Sequence, residues 1–186
     1  EFLQPGNYKE EVFISPVPTV DPEIVVKNKT LTIKFLAPLR DNTTYVVSLG
    51  TGIIDYNEGN KMERSYTYAF STGAVLDSMQ FSGRVTDMWS SAGEADMKVM
   101  LFRVDDIEEN EILDKRPEYL VSTGKEGEFE FRFLAPGTYK IYGVTDANND
   151  SKYSGPGERI ALATTPMVEL NPADTLPVVV NLTAFL

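Results

Sequence analysis

Two β-sandwich domains in tandem, within an all-β chain, are what this sequence predicts, and three observations carry that expectation. Apolar and polar residues alternate in short runs rich in Val, Ile, Thr, Tyr and Phe. Gly, Pro, Asn or Asp bounds nearly every run, and no stretch has the period of a full-length helix. Strands so spaced, without helices between them, suit sandwiches or barrels rather than βαβ units.

In chain order the strand-like runs are "EIVVKNKTLTIKFLA", "TTYVVSLGTGI", "SYTYAFST", "QFSGRVTD", "MKVMLFRV", "EFEFRFLA", "GTYKIYGVTD", "ERIALAT" and "PVVVNLTAF". Tyr66, Tyr68 and Phe70 alternate with Ser65, Thr67 and Ala69. Likewise Phe129, Phe131 and Phe133 are expected on a core face, with Glu128, Glu130 and Arg132 on the other. The stretch "VDDIEENEILDKRPEYL" is tempted towards helix, but Pro117 limits it to a short helix or a solvated hairpin tip. A boundary falls in "STGAVLDSM", so the expected domains are residues 1–73 and 77–186. The last run, Val178 to Phe185, either completes the second sandwich or begins something further.

Composition narrows the chemistry. The chain of 186 residues has 42% hydrophobic and 11% aromatic residues, enough for a packed core. It lacks both Cys and His, which removes disulfides, thiolate and imidazole metal sites, and Ser-His-Asp or Cys-His catalysis. The net charge of -11, concentrated after Ala74, disfavours nucleic acid and anionic lipid and favours cations. No apolar run reaches the roughly 20 residues of a membrane span, so any membrane attachment is expected through a part outside this chain.

Two families are suggested by particular stretches. "VFISPVP", "KTLTIKF", "LRDNTTYVVSLGTGIIDYNEGN" and "YAFSTG" resemble a bacterial Ig-like domain of Gram-negative cell-envelope lipoproteins. "FSGRVTD", "KVMLFRV", "STGKEGEFEFRFLAPGTYKIYGVTDANND" and "ERIA" resemble the carboxypeptidase-regulatory-like, or transthyretin-like (prealbumin-like), domain that follows it there. The resemblance implies an envelope location, at the periplasm or outer-membrane surface, and no established activity. It also implies a first domain lacking a strand or two, with a sheet edge open to a neighbour near residues 12–15 or 31–36. "DMWSSAGEADMKV" departs from the Thr-Gly-Glu-Pro-like turn of such relatives.

The most chemical stretch is "DANNDSKYSGPGE". Asp146, Asn148 and Asp150 alternate, Lys152 can offer its carbonyl and Glu158 a further carboxylate, which together make an oxygen set suited to a structural calcium ion. Relative to the helical calcium loop, Ser151 stands where Gly is usual, and Glu158 comes one position late. The alternative is an Asx-rich turn, since Asn and Asp bond to nearby backbone groups and accept left-handed conformations. "DYNEGN", Asp55 to Asn60, reads as a hairpin turn, and "DDIEENEILD" as a solvated loop.

Trp89, the single tryptophan, sits in a loop, where it is expected to cap the open end of the sandwich or to seat a sugar or protein partner. Met79, Met88, Met97 and Met100 are expected to fill core and interdomain gaps rather than to form a binding stripe. Tyr45 and Tyr139 are expected to anchor strand starts after turns at Asn42 and Gly137. Asp77-Ser78-Met79 and Asp174-Thr175-Leu176 have the form of O-glycosylation acceptors.

These observations favour a non-catalytic envelope scaffold or interaction module with no organic cofactor, whose partner is a protein or glycan of the envelope. A binding module built on the loops near Trp89 and Asp146 is the alternative, and a carboxylate-dependent hydrolase the third reading.

Overall fold

The computed structural model describes residues 12–28, 30–49, 66–106, 115–174 and 178–185. Its chain divides into two compact units, Glu1–Leu76 and Asp77–Leu186. Among the described residues every long element is a strand, so the all-β class holds. No helix there is long and apolar enough to cross a membrane.

In the first unit β1 (Val12–Ser15), β4 (Thr44–Leu49) and β5 (Tyr66–Ser71) form an antiparallel sheet with β4 central. β2 (Glu23–Lys27) and β3 (Thr30–Lys34) make a hairpin. The run expected as one strand, "EIVVKNKTLTIKFLA", therefore folds back on itself. Asn28 takes φ 55° at the reversal, a left-handed conformation that asparagine tolerates better than most residues. Val12, Ile14, Tyr45 and Val47 form the buried centre, with Phe35 and Phe70 packed against it. Tyr45 and Phe70 stack with centroids 5.7 Å apart, whereas Tyr66 and Tyr68 of the same strand are exposed.

The second unit is one strongly curved sheet in the order β8-β7-β10-β11-β12-β6-β9. Its strands are β6 (Met79–Asp87), β7 (Lys98–Arg103), β8 (Tyr119–Ser122), β9 (Glu128–Leu134), β10 (Gly137–Val144), β11 (Ile160–Leu170) and β12 (Val178–Phe185). All neighbours are antiparallel except β12 and β6, which run parallel. The final run thus completes this sheet from within, pairing with β6 across Val178 to Ala184. Phe81, Val85, Leu101, Phe131, Ile141 and Leu182 belong to the buried core that the sheet wraps.

Phe129 and Phe131 enter the core as expected, but Phe133 does not. It takes φ 59°, and the register between β6 and β9 shifts there, so that Gln80 faces two residues of β9. This β-bulge hands the next buried position to Leu134. Among its described residues the helix-tempted stretch has a 3-10 turn at Val104–Asp106, while Tyr119 and Leu120 at its far end join β8. "DYNEGN", residues 107–114 of the acidic run, and Thr175 lie outside the described residues.

Two tyrosines do similar work in the two units. The Arg40 amide donates to Tyr45 Oη at 3.0 Å, and Tyr139 Oη donates to the Ala135 carbonyl at 2.8 Å. Each ring is buried while its hydroxyl ties down the chain a few residues upstream, the logic of a tyrosine corner. Burial pushes the Tyr139 hydroxyl far above its ordinary pKa, which keeps it protonated as a donor.

Candidate functional site: the loop end of the second unit

Three connections meet at one end of the second unit, and hydrogen bonds join them. The Val85 amide donates to Gly127 O in the β8–β9 connection, and the Glu94 amide returns to Val85 O. Buried Thr123 donates through Oγ1 to Glu94 O at 2.5 Å and accepts from the Met97 amide at 2.9 Å.

Arg159, immediately before β11, ties the long β10–β11 loop to this group. Its guanidinium donates to Asp87 Oδ2 and to Glu94 Oε1, each at 2.7 Å. All three side chains are largely shielded, at 27%, 19% and 19% exposure, so the pairing is screened less than an open surface ion pair. Asp87 is also the hub of the turn that follows it. Its Oδ1 accepts from the Ser90 amide at 2.7 Å, the Ser90 hydroxyl at 2.8 Å and the Trp89 amide at 3.1 Å. The Ser90 bonds, more than the Trp89 amide and Arg159, hold the Asp87 carboxyl down at about 2.

The long loop is closed by its carboxylates. Asp146 is 4% exposed and accepts from the Asp150 amide at 3.0 Å and the Ser151 amide at 3.2 Å. Glu158, 8% exposed, reaches across the loop to accept from the Ala147 amide at 2.9 Å and the Ser154 amide at 2.7 Å. Asp150 accepts from the Lys152 amide at 2.8 Å, and from Asn148 Nδ2 and Ser154 Oγ at 2.9 and 2.8 Å. Asp146, Asn149 and Ser151 all have positive φ, at 40°, 57° and 61°, which Asx side-chain bonding makes accessible. Burial raises the Asp146 pKa, and the neighbouring Asp150 and Glu158 charges add to the rise while the two amides oppose it.

The five residues of the calcium candidate therefore share one loop. Asp146, Asn148, Asp150 and Glu158 are joined through its amides and Ser154, and Lys152 gives an amide to Asp150. Hard carboxylate and amide oxygens are the donors calcium takes. As they stand, these oxygens accept from donors within the loop, and among the described residues no group of three or more acidic side chains is gathered around one point as a metal shell.

Trp89 does not cap the sandwich. It is 79% exposed at the tip of the Asp87 turn, and Met88 beside it is 49% exposed, so the expected core role holds for Met97 and Met100 but not for Met88. Sequence reasoning missed the Arg159–Asp87–Glu94 clamp. Its partners lie 72 and 65 residues away along the chain, and only the Asp87-x-x-Ser90 spacing offered a local sign of a capped turn.

No curated protein matches the chain. Residues 1–72 match the family model of the bacterial Ig-like domain. Over those residues the chain is similar to domains that are typically non-catalytic and occur in extracellular or cell-envelope proteins.

Proposed function

We propose that the chain is a non-catalytic scaffold and interaction module of a bacterial cell-envelope lipoprotein, its Ig-like unit followed by a transthyretin-like one. The match of residues 1–72 to the bacterial Ig-like family carries this reading. The loop end supports it, because Asp87, Glu94, Asp146, Asp150 and Glu158 are each occupied in holding backbone or Arg159. A hydrolase needs an acid and a nucleophile or base free to act on substrate, and these carboxylates are engaged within the loops. Fractionation of the source cells with an antibody against the chain is expected to recover it in the envelope fraction. Recovery in the cytosol would overturn the proposal.

A structural calcium ion in the β10–β11 loop is a second reading, favoured by one observation. Two buried carboxylates, Asp146 and Glu158, share the loop, and the adjacent cation, Arg159, is turned to Asp87 and Glu94 instead. Buried like charges gain from a cation. Since an ion that binds only the folded state raises its melting midpoint, millimolar calcium is expected to raise the midpoint and excess chelator to reverse it. An unchanged midpoint would remove the ion from the reading.

A further inference from the structure

A large aromatic side chain left in water forgoes the stabilisation of burial, so a well-fixed one invites a search for what covers it. Trp89 is such a residue. Its backbone is held through the Trp89 and Ser90 amides on Asp87 Oδ1, the Ser91 amide on Asp87 O at 3.0 Å and the Asp87 amide on Ala92 O at 2.8 Å. The Met88 amide adds a bond to Ala184 O of β12 at 3.1 Å, and Arg159 fixes the Asp87 carboxylate from the other side. The turn closes on the short side chains of Asp87 and Ser90, and none of these bonds uses the indole. The ring is presented on a preorganised support, which lowers the ordering entropy a partner has to meet.

Charge says what kind of partner suits it. From Asp87 to Met97 the chain carries Asp87, Glu94 and Asp96 and no basic residue. The β10–β11 loop, held to this turn by Arg159, adds Asp146, Asp150 and Glu158 against Lys152 and Arg159. An acidic surround concentrates cations, and the negative face of an indole attracts a guanidinium or ammonium placed over it. A second copy of this chain, also at -11, is repelled. A sugar would stack on the same face, but the hydroxyl next to it, Ser90 Oγ, already donates to Asp87.

We propose that the Trp89 turn docks a basic segment of a protein partner, with an arginine or lysine side chain seated over the indole and drawn there by the net negative charge of the two loops. The proposal deepens the reading of the chain as an interaction module and rests on it. It is tested separately from cellular location, so failure of one does not entail failure of the other.

The full chain has one tryptophan, so its indole N–H gives a single reporter resonance. Titration with hexa-arginine at about 50 mM salt is expected to shift that resonance and the Met88 to Ser91 amides saturably. At about 500 mM salt, where exposed charges are screened, the shift is expected to shrink. By calorimetry Trp89→Ala is expected to bind hexa-arginine roughly two- to five-fold more weakly, and Trp89→Phe to recover part of that loss. Thermal melts of both variants should match the parent, because the ring is exposed. An unmoved indole, or Trp89→Ala binding as tightly as the parent, would overturn the proposal in favour of charge alone. A shift with cellohexaose and none with hexa-arginine would overturn it in favour of a sugar site.

Discussion

Asp87 shows how one side chain can organise a loop end. A single carboxylate caps its own turn through Ser90 and Trp89 and receives Arg159 from a distant loop. Its pKa of about 2 lies below the ordinary 3.8, so the folded state holds the proton more weakly than the unfolded chain. The resulting stabilisation is complete above pH about 3.8 and is lost as pH falls through about 2. Asp146 acts in the opposite sense. Its raised pKa favours the folded state at low pH, an advantage lost as pH rises through the raised value. Denaturant unfolding of Asp87→Asn between pH about 4 and about 2 is expected to show a shallower acid limb than the parent. Equal limbs would mean that the Asp87 bonds do not persist in solution.

Among the strands, the parallel pairing of β12 with β6 decides the topology of the second unit. It sets Gly83 opposite Val180, and a Cβ at Gly83 would collide with the Val180 carbonyl and the Phe129 ring. Gly83→Ala is therefore expected to lower unfolding stability by about 3 kcal/mol, at the upper end for overpacking, in urea titration. A change under about 0.5 kcal/mol, as at an ordinary surface position, would contradict the register. Much of this architecture was legible from alternation alone, including the buried Phe129 and Phe131 and the final strand. The failures have local causes. Asn28 reverses the chain within the polar Lys27 to Thr30 stretch, which has neither Gly nor Pro to mark a turn, and the left-handed Phe133 shifts the pattern by one residue and gives the core position to Leu134. The five residues from Asp146 to Glu158 were legible as one loop from their spacing. The Arg159 clamp was not, because β6 and β11 have no sequence signal that they converge at Asp87 and Arg159.

Over the whole molecule, acidic charge and the absence of Cys and His leave carboxylates as the main group able to support hydrolytic or cation chemistry. Their placement separates two kinds of protein. Carboxylates held for catalysis or for an ion are stored at a cost to stability, so neutralising one stabilises the empty fold. Carboxylates whose loop bonds outweigh the cost of burying their charge do the reverse. Glu158→Gln keeps one acceptor oxygen but turns an amide group towards the Ala147 or Ser154 N–H, losing a bond in a buried position. The most direct measurement is the thermal midpoint of Glu158→Gln beside the parent in excess chelator. An architectural role requires a lower midpoint, reflecting a loss of about 1–3 kcal/mol. A midpoint above the parent's would contradict it and mark the loop as a site kept ready for a ligand.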